Sequence, residues 1–313
     1  MTQLTINKLL NKAYRQISVE QKAFDNFKEK LNALFEQISA SNTEEELKGD
    51  FMDFLKLTFY GHNYKVSANG DIDCAIHLGN SIDSTIAVIF EVKRPTNVLE
   101  MITCEDLNRK ALQELLLYYL RERHSKKNIE LKQLIVTNVN EFFVFDAQEF
   151  ERIFYSNKNL IKQFEQFEAG QLSSTKTEFF YIEIATNHIA QALDQLTYTW
   201  FDIQNYKKAL TTGKDKQLIE LFKFFSPEHL LKKRFQNDSN SLNTAFYNEL
   251  LYIIGLKEKT TTVNGSTKKI ITRLEYNERN RASILENAIT ILSTEDLIDN
   301  VEERSSYGKN TEA

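Results

Sequence analysis

The feature that most constrains the fold is the run TIAVIFEVKRP, residues 85–95. Its β-branched and aromatic residues predict a buried strand, but Glu91 and Lys93 lie at its end with only Val92 between them. Side chains of a strand alternate between the two faces of a sheet, so Glu91 and Lys93 share one face and Phe90 and Val92 share the other. The chain must therefore fold around a strand that carries two opposite charges on one face.

The composition indicates a globular chain. It has 313 residues, of which 42% are hydrophobic, enough for one large domain or two ordinary ones. No apolar run approaches the stretch of about 20 residues that a membrane-spanning helix needs. The start, MTQLTINKLLNKAYRQ, lacks the features of a signal peptide, so a cytoplasmic location is expected. Cys74 and Cys104 match neither a zinc-ligand spacing nor a disulfide framework.

Glycine spacing and net charge argue against several functions. None of the nine glycines are spaced as in GxGxxG or GxxxxGK[ST], so nucleotide-binding loops of those types are not expected. The net charge of −5 does not favour nucleic-acid binding, since proteins that hold phosphate backbones usually carry a basic surface. A local basic face is compatible with this charge, and RKALQELLLYYLRERHSKK is a candidate for it.

The order of elements predicts one α/β domain of about 150 residues. Helical spacing runs to about residue 62, and Thr43 and Glu46 have the spacing of a capping box where a second helix begins. Three strands of an antiparallel meander follow, then a helix, then two more strands. In order these segments are YKVSA, IDCAIHL, STIAVIFEVK, LNRKALQELLLYYLRERH, LKQLIVTN and EFFVFDA.

A mainly α-helical second domain is expected after residue 157. Segments such as HIAQALDQLTYTWFDI and KQLIELFKFFSPEHLLKKRF have helical spacing and are rich in Phe and Tyr. The predicted division is residues 1–157 for the sheet and its N-terminal helices, and 158–300 for the helical domain. Residues 301–313 are expected to be a disordered tail.

Two carboxylates are expected to converge beside Lys93. A hairpin between IDCAIHL and the following strand would lay Asp73, at the start of one strand, next to Glu91, at the end of the other. Carboxylate oxygens hold hard cations such as Mg²⁺, and a lysine beside them can orient the water that attacks a phosphodiester. The pattern therefore predicts metal-assisted hydrolysis at phosphorus.

Asp73 followed by Glu91, Val92 and Lys93 resembles the PD-(D/E)xK nuclease motif, with Ile in place of the usual Pro. The resemblance implies a restriction-endonuclease-like α/β core, a mixed sheet flanked by helices. In it Asp73 and Glu91 would be the metal ligands for Mg²⁺, and Lys93 would be catalytic. Asp71 is an alternative to Asp73 because both lie on the same face of an extended segment.

The same resemblance suggests two further positions. Members often add a carboxylate from the helix before the sheet, and helix phase favours Glu44 over the two glutamates that follow it, because Glu44 lies three residues before Leu47 of the apolar stripe. Members also often carry a glutamine in the helix after the motif strand, commonly with a tyrosine four residues later. Gln113 is the candidate here, although Tyr118 follows it by five residues.

A wider resemblance covers most of the chain. Six segments carry it: EVKRPTN, LNRKALQELLLYYLRER, LIVTNVNEFFVFDA, FSPEHLLKKRF, NDSNSLNTAFYNELLYIIGL and SILENAI. They are similar to the N-terminal region of large type IIG restriction-modification proteins, which fuse a nuclease domain, a helical connector, an adenine-N6 DNA methyltransferase and a target-recognition domain. Such a methyltransferase needs an Asn-Pro-Pro-aromatic motif. The chain has only two prolines, and they are not adjacent, so this motif is absent from it. The resemblance therefore implies a nuclease domain at 1–157 and a connector at 158–300, without the other two parts.

The implied function is a Mg²⁺-dependent endonuclease module of a restriction system. It would act on double-stranded DNA together with a methyltransferase and specificity polypeptide, with Asp73 and Glu91 on the metal, Lys93 polarising the water, and Glu44 and Gln113 assisting. The alternative from another class is a non-catalytic connector subunit in which the nuclease core serves as a scaffold. A third possibility is a nuclease outside restriction, such as a repair enzyme.

Overall fold

The computed structural model describes residues 2–40, 43–213, 215–233, 244–263, 266–279 and 283–288. The chain divides into two compact units, Met1–Phe235 and Gln236–Ala313. Within the described ranges, no helix is long and apolar enough to cross a membrane.

The first unit contains a seven-stranded mixed sheet. In chain order its strands are β1 (Thr2–Leu4), β2 (Val66–Asn69), β3 (Ile72–His77), β4 (Ile86–Val92), β5 (Gln133–Thr137), β6 (Glu141–Asp146) and β7 (Thr197–Asp202). Across the sheet they lie in the order β1-β7-β6-β5-β4-β3-β2. β4 pairs parallel with β5, and β1 pairs parallel with β7, whereas the other neighbours are antiparallel.

Helices of the first unit accompany this sheet. In chain order they are α1 (Ile6–Leu9), α2 (Lys12–Gln16), α3 (Gln21–Ala40), α4 (Glu44–Leu55), α5 (Lys110–Leu120), α6 (Ala147–Phe150), α7 (Lys158–Glu168), α8 (Thr177–Phe179), α9 (Thr186–Ala192), α10 (Gln204–Thr212), α11 (Asp215–Phe225) and α12 (Pro227–Leu230). Four of them, α4, α5, α6 and α8, run on into a π-helical turn, at Lys56–Tyr60, Arg121–Ser125, Glu151–Tyr155 and Phe180–Ala185.

Side-chain alternation along β4 separates two apolar cores. Phe90 packs on one face of the sheet, with its ring 5.3 Å from the ring of Phe51 in α4. Ile89 belongs to the core on the other face, together with Leu115 of α5. Because Glu91 is two residues beyond Ile89, its side chain lies on the α5 face.

The start of α4 is fixed by the predicted capping box. The Glu46 backbone N–H donates to Thr43 Oγ1 at 3.1 Å, and the Thr43 N–H donates to Glu46 Oε2 at 3.1 Å. Leu47, Phe51 and other apolar residues of α4 are buried, so the helix is oriented by its packing as well as by its cap. The orientation of α4 fixes the positions of Glu44 and Lys48 in its first turns.

The order of elements predicted for the sheet region is confirmed. A helix (α4), three antiparallel strands (β2, β3 and β4), a helix (α5) and two strands (β5 and β6) follow one another between residues 44 and 146. The structure therefore has a mixed α/β core with flanking helices, followed by a largely helical region.

Helices predominate after β6, as expected, but three strands were missed. β7 lies in the sheet between β6 and β1. In the second unit, α13 (Thr244–Ile254) is followed by an antiparallel hairpin of β8 (Leu256–Val263) and β9 (Ser266–Arg273).

The boundary predicted after residue 157 is not where the chain divides. Because β7 pairs with β6 and β1, the residues after 157 complete the same sheet, and the first unit extends to Phe235. The connector predicted at 158–300 is thus split between the two units. The expected disordered tail, residues 301–313, lies outside the described residues.

Candidate active site

The hairpin of β3 and β4 brings Asp73 and Glu91 together. The two strands pair with Cys74 opposite Phe90, so continuing the register by one residue sets Asp73 opposite Glu91. The backbone N–H of Val92 donates to Asp73 Oδ2 at 2.8 Å, which holds the aspartate carboxylate at the end of β4.

Asp71, the alternative acid, has a different partner. Its Oδ2 lies 2.6 Å from Arg121 Nη1, and its side chain is two-thirds exposed. Among the described contacts, Asp73 is therefore the aspartate of this segment that faces the charged end of β4.

Lys93 is buried among carboxylates from three parts of the chain. Its Nζ lies 2.8 Å from Glu91 Oε1, 2.5 Å from Glu114 Oε2 in α5 and 3.7 Å from Glu100 Oε2 in the intervening loop. Burial disfavours the charged amine, but these acids, Glu91 and Glu114 above all, outweigh it and raise the pKa of Lys93 above its ordinary value. The surrounding acids therefore favour the charged form of Lys93.

The surroundings of Glu91 disfavour the negative charge of its carboxylate. Its residue is 1% exposed, and its Oε2 has no hydrogen-bond partner among the described residues. Burial, and next the negative charge of Asp73, raise its pKa well above the ordinary value, although Lys93 opposes the shift. A buried carboxylate oxygen without a partner is costly, and a bound cation would satisfy it.

A second lysine approaches Asp73 from α4. Glu44 and Lys48 are one helical turn apart, and Lys48 Nζ lies 2.9 Å from Glu44 Oε1 and 2.7 Å from Asp73 Oδ1. Glu44 Oε2 also accepts a hydrogen bond from the backbone N–H of Arg94 at 3.3 Å, just beyond β4. The structure thus brings Glu44 to the ends of β3 and β4, whereas Glu45 is exposed.

Gln113 does not join this group through any contact among the described residues. Its side-chain amide donates to Thr186 Oγ1 at 3.0 Å and to the backbone and side-chain oxygens of Asn108 at 3.4 and 3.3 Å. The residue that α5 places against Lys93 is Glu114, which the sequence analysis missed. A tyrosine is expected four residues after the helix candidate. Tyr118 follows Glu114 by four residues, so this spacing was the signal that pointed to Glu114.

The charged groups form two ion-pair networks, which meet where Asp73 lies opposite Glu91 and together carry a net negative charge. Lys110 of α5 extends it, with Nζ 2.8 Å from Glu100 Oε1 and 3.9 Å from Glu114 Oε1. With every group ionised, five carboxylates face three lysines, so two negative charges remain, which one divalent cation would balance. The acids are Glu44, Asp73, Glu91, Glu100 and Glu114, and the lysines are Lys48, Lys93 and Lys110.

The donor set at the strand ends fits a hard cation. Within the described part of the chain, no group of three or more His, Cys, Asp or Glu side chains is placed to hold a metal ion. Mg²⁺ needs fewer protein ligands, since it is commonly held by one or two carboxylates together with water and substrate phosphate. Asp73 and the unpartnered Glu91 Oε2 supply such a pair.

The chain matches two known families along its length. The match to a family described as Domain of unknown function (DUF7149) covers residues 4–238, and the match to one described as Domain of unknown function (DUF7814) covers residues 239–313. These ranges follow the two compact units closely. No curated protein and no solved structure matches the chain. Because the first match spans well over half of the 313 residues, the chain belongs to the DUF7149 family.

Proposed function

We propose that the first unit is a restriction-endonuclease-like, Mg²⁺-dependent DNA endonuclease module. The observation that carries the proposal is the convergence of Asp73, Glu91 and Lys93 at the ends of β3 and β4, with a buried Glu91 oxygen that no described residue hydrogen-bonds. The order of helix, antiparallel strands, helix and parallel strand around this point supports it, because that order fits the core expected from the sequence.

Each residue has a distinct part in the proposed hydrolysis. Asp73 and Glu91 would hold Mg²⁺, and the ion when bound would supply the Lewis acidity that attack on a phosphodiester requires. Lys93, kept charged and fixed by Glu91 and Glu114, orients and polarises the attacking water. The water oxygen then forms the new P–O bond as the bond to the leaving oxygen breaks; the water gives up a proton to solvent, and the leaving oxygen takes one from solvent.

The proposed setting is a restriction system. Double-stranded DNA is the substrate, and a methyltransferase and specificity polypeptide is the partner, because the chain resembles the nuclease and connector parts of type IIG proteins and has no methyltransferase motif of its own. Contacts to base edges, which define a DNA site, would then come from the partner.

Nicking of unmethylated supercoiled plasmid, with Mg²⁺ or with EDTA, tests the proposal. Metal-dependent nicking that is lost in Asp73→Asn and kept in Asp71→Asn supports it, because these two aspartates are close in sequence but only Asp73 faces Glu91. Equal nicking by both variants would place the chemistry elsewhere.

One observation favours the alternative, a non-catalytic connector subunit. Lys93 is only 5% exposed, and the Nζ contacts recorded among the described residues are ion pairs within the chain, as in a structural cluster. Absence of nicking by the chain alone and by the chain with an added methyltransferase and specificity polypeptide would support this alternative.

A further inference from the structure

Lys48 forms an ion pair with Asp73, which is one of the two carboxylates that the proposed function assigns to the metal. Its Nζ lies between Glu44 Oε1 and Asp73 Oδ1, at 2.9 and 2.7 Å, and all three side chains are less than a quarter exposed. Asp73 is thus already neutralised by an internal cation.

The two metal-binding carboxylates therefore differ in their surroundings. Glu91 has an oxygen with no hydrogen-bond partner in the described part of the chain, whereas both oxygens of Asp73 are engaged, Oδ1 by Lys48 and Oδ2 by the backbone N–H of Val92. A divalent cation bound to Asp73 Oδ1 would lie next to the ammonium of Lys48. Two positive charges in contact with the same oxygen repel each other strongly in a partly buried site.

Glu44 is a second carboxylate with which Lys48 can stay paired after it leaves Asp73. The pair is separated by four residues on α4, so Lys48 can keep its contact with Glu44 while it leaves Asp73. Glu44 is itself fixed by the first turn of α4 and by the backbone N–H of Arg94.

We propose that Lys48 is a built-in competitor for the divalent cation, which leaves Asp73 for Glu44 when the ion binds. This inference rests on the proposed function, because it takes Asp73 as a metal ligand. Lys48 neutralises part of the negative charge of the metal-free site and lowers the affinity of the site for the ion. Glu44 is then a positioning residue that retains Lys48, and it does not touch the metal.

The test is a titration of the full chain with Mn²⁺ in the absence of DNA. Electron paramagnetic resonance measures the concentration of free ion during the titration. Mn²⁺ takes the same oxygen ligands as Mg²⁺. We expect Lys48→Met to bind Mn²⁺ at least about tenfold more tightly than the wild type, since a like charge next to the ion is removed. The matched control is Lys56→Met, which removes a lysine paired with Asp53 near the far end of the same helix and should leave the affinity unchanged.

Two further variants sharpen the result. Adding Asp73→Asn to Lys48→Met should abolish the gain, and adding Glu44→Gln to Lys48→Met should not weaken binding, because Glu44 acts only through Lys48. Lys48→Gln, which keeps a polar side chain, should show the same gain and replaces Lys48→Met if thermal unfolding shows that the methionine variant is not folded.

The outcomes separate this inference from the proposed function. If the wild type binds Mn²⁺ through Asp73 but neither Lys48 variant binds more tightly, the competitor role is overturned and the metal site stands. An equal gain in Lys56→Met would also overturn it, as a general charge effect. If neither the wild type nor the Lys48 variants bind Mn²⁺, the inference and the metal site both fail.

Discussion

At the scale of single residues, one position along a strand or a helix decides which side chains meet at the charged end of β4. Glu91 and Lys93 lie on one face of β4, and the hairpin brings Asp73 opposite Glu91. On α5, neighbouring residues of the helix point about 100° apart. Glu114 therefore faces Lys93 while Gln113 faces Thr186.

Glu114 and Gln113 offer a paired test of this difference. Glu114→Ala removes one of the two closest acids at Lys93 Nζ, so we expect the nicking rate to fall by about 10²-fold through loss of the ammonium's position. Gln113→Ala should leave the rate near that of the wild type but lower the free energy of unfolding by about 1 kcal/mol, from lost hydrogen bonds to Asn108 and Thr186.

Plasmid nicking and chemical denaturation of both variants measure these effects. An inactive Gln113→Ala protein of normal stability, beside an active Glu114→Ala protein, would reverse the assignment.

At the scale of elements, local signals located α4 and the β3–β4 hairpin, whereas β7, whose partners are distant in the chain, was missed. The capping box of Thr43 and Glu46 lies within four residues, so the start of α4 could be read directly. The segment TYTWFD of β7 directly follows a helical segment, and its pairing with β1 and β6 is set by residues far away in the chain. Its aromatic residues were therefore assigned to a helix.

Loss of the α4 cap should lower the stability of the fold more than an ordinary surface substitution does. Thr43→Ala removes the acceptor of the Glu46 N–H, so we expect the free energy of unfolding to fall by about 1 kcal/mol. Thermal or urea unfolding measures this, with Thr43→Ser as the control because serine keeps the acceptor oxygen. Equal stability of Thr43→Ala and the wild type would show that packing of Leu47 and Phe51 fixes α4 without the cap.

At the scale of the whole molecule, the domain division was the least predictable property. A change in apparent secondary structure suggested a boundary after residue 157, but a sheet can recruit a strand from a later, mostly helical segment, as it does with β7. The match of the two families to residues 4–238 and 239–313 agrees with the division seen in the structure.

A buried histidine should make the first unit sensitive to acid. Burial, with a smaller effect of Lys232, lowers the pKa of His229 from 6.5 to about 4. Because the folded pKa lies below the unfolded one, the unfolded chain binds the proton first, and stability present above pH 6.5 is lost as the pH falls towards 4. We expect a loss of about 2 kcal/mol between pH 7 and pH 5 from this residue.

Urea denaturation at pH 7 and pH 5 measures this loss, and His229→Phe should reduce it. The same loss in His229→Phe would assign the acid sensitivity to other groups.

The central claim is that the charged end of β4 is a catalytic site, and the most direct measurement is the initial rate of plasmid nicking in Mg²⁺ by Lys93→Ala. Lys56→Ala is the matched control, because Lys56 is partly exposed and pairs with Asp53 among the described contacts. We predict that Lys93→Ala nicks at least about 10²-fold more slowly than the wild type, while Lys56→Ala matches it. Metal-dependent nicking at the wild-type rate by a folded Lys93→Ala protein would contradict the claim.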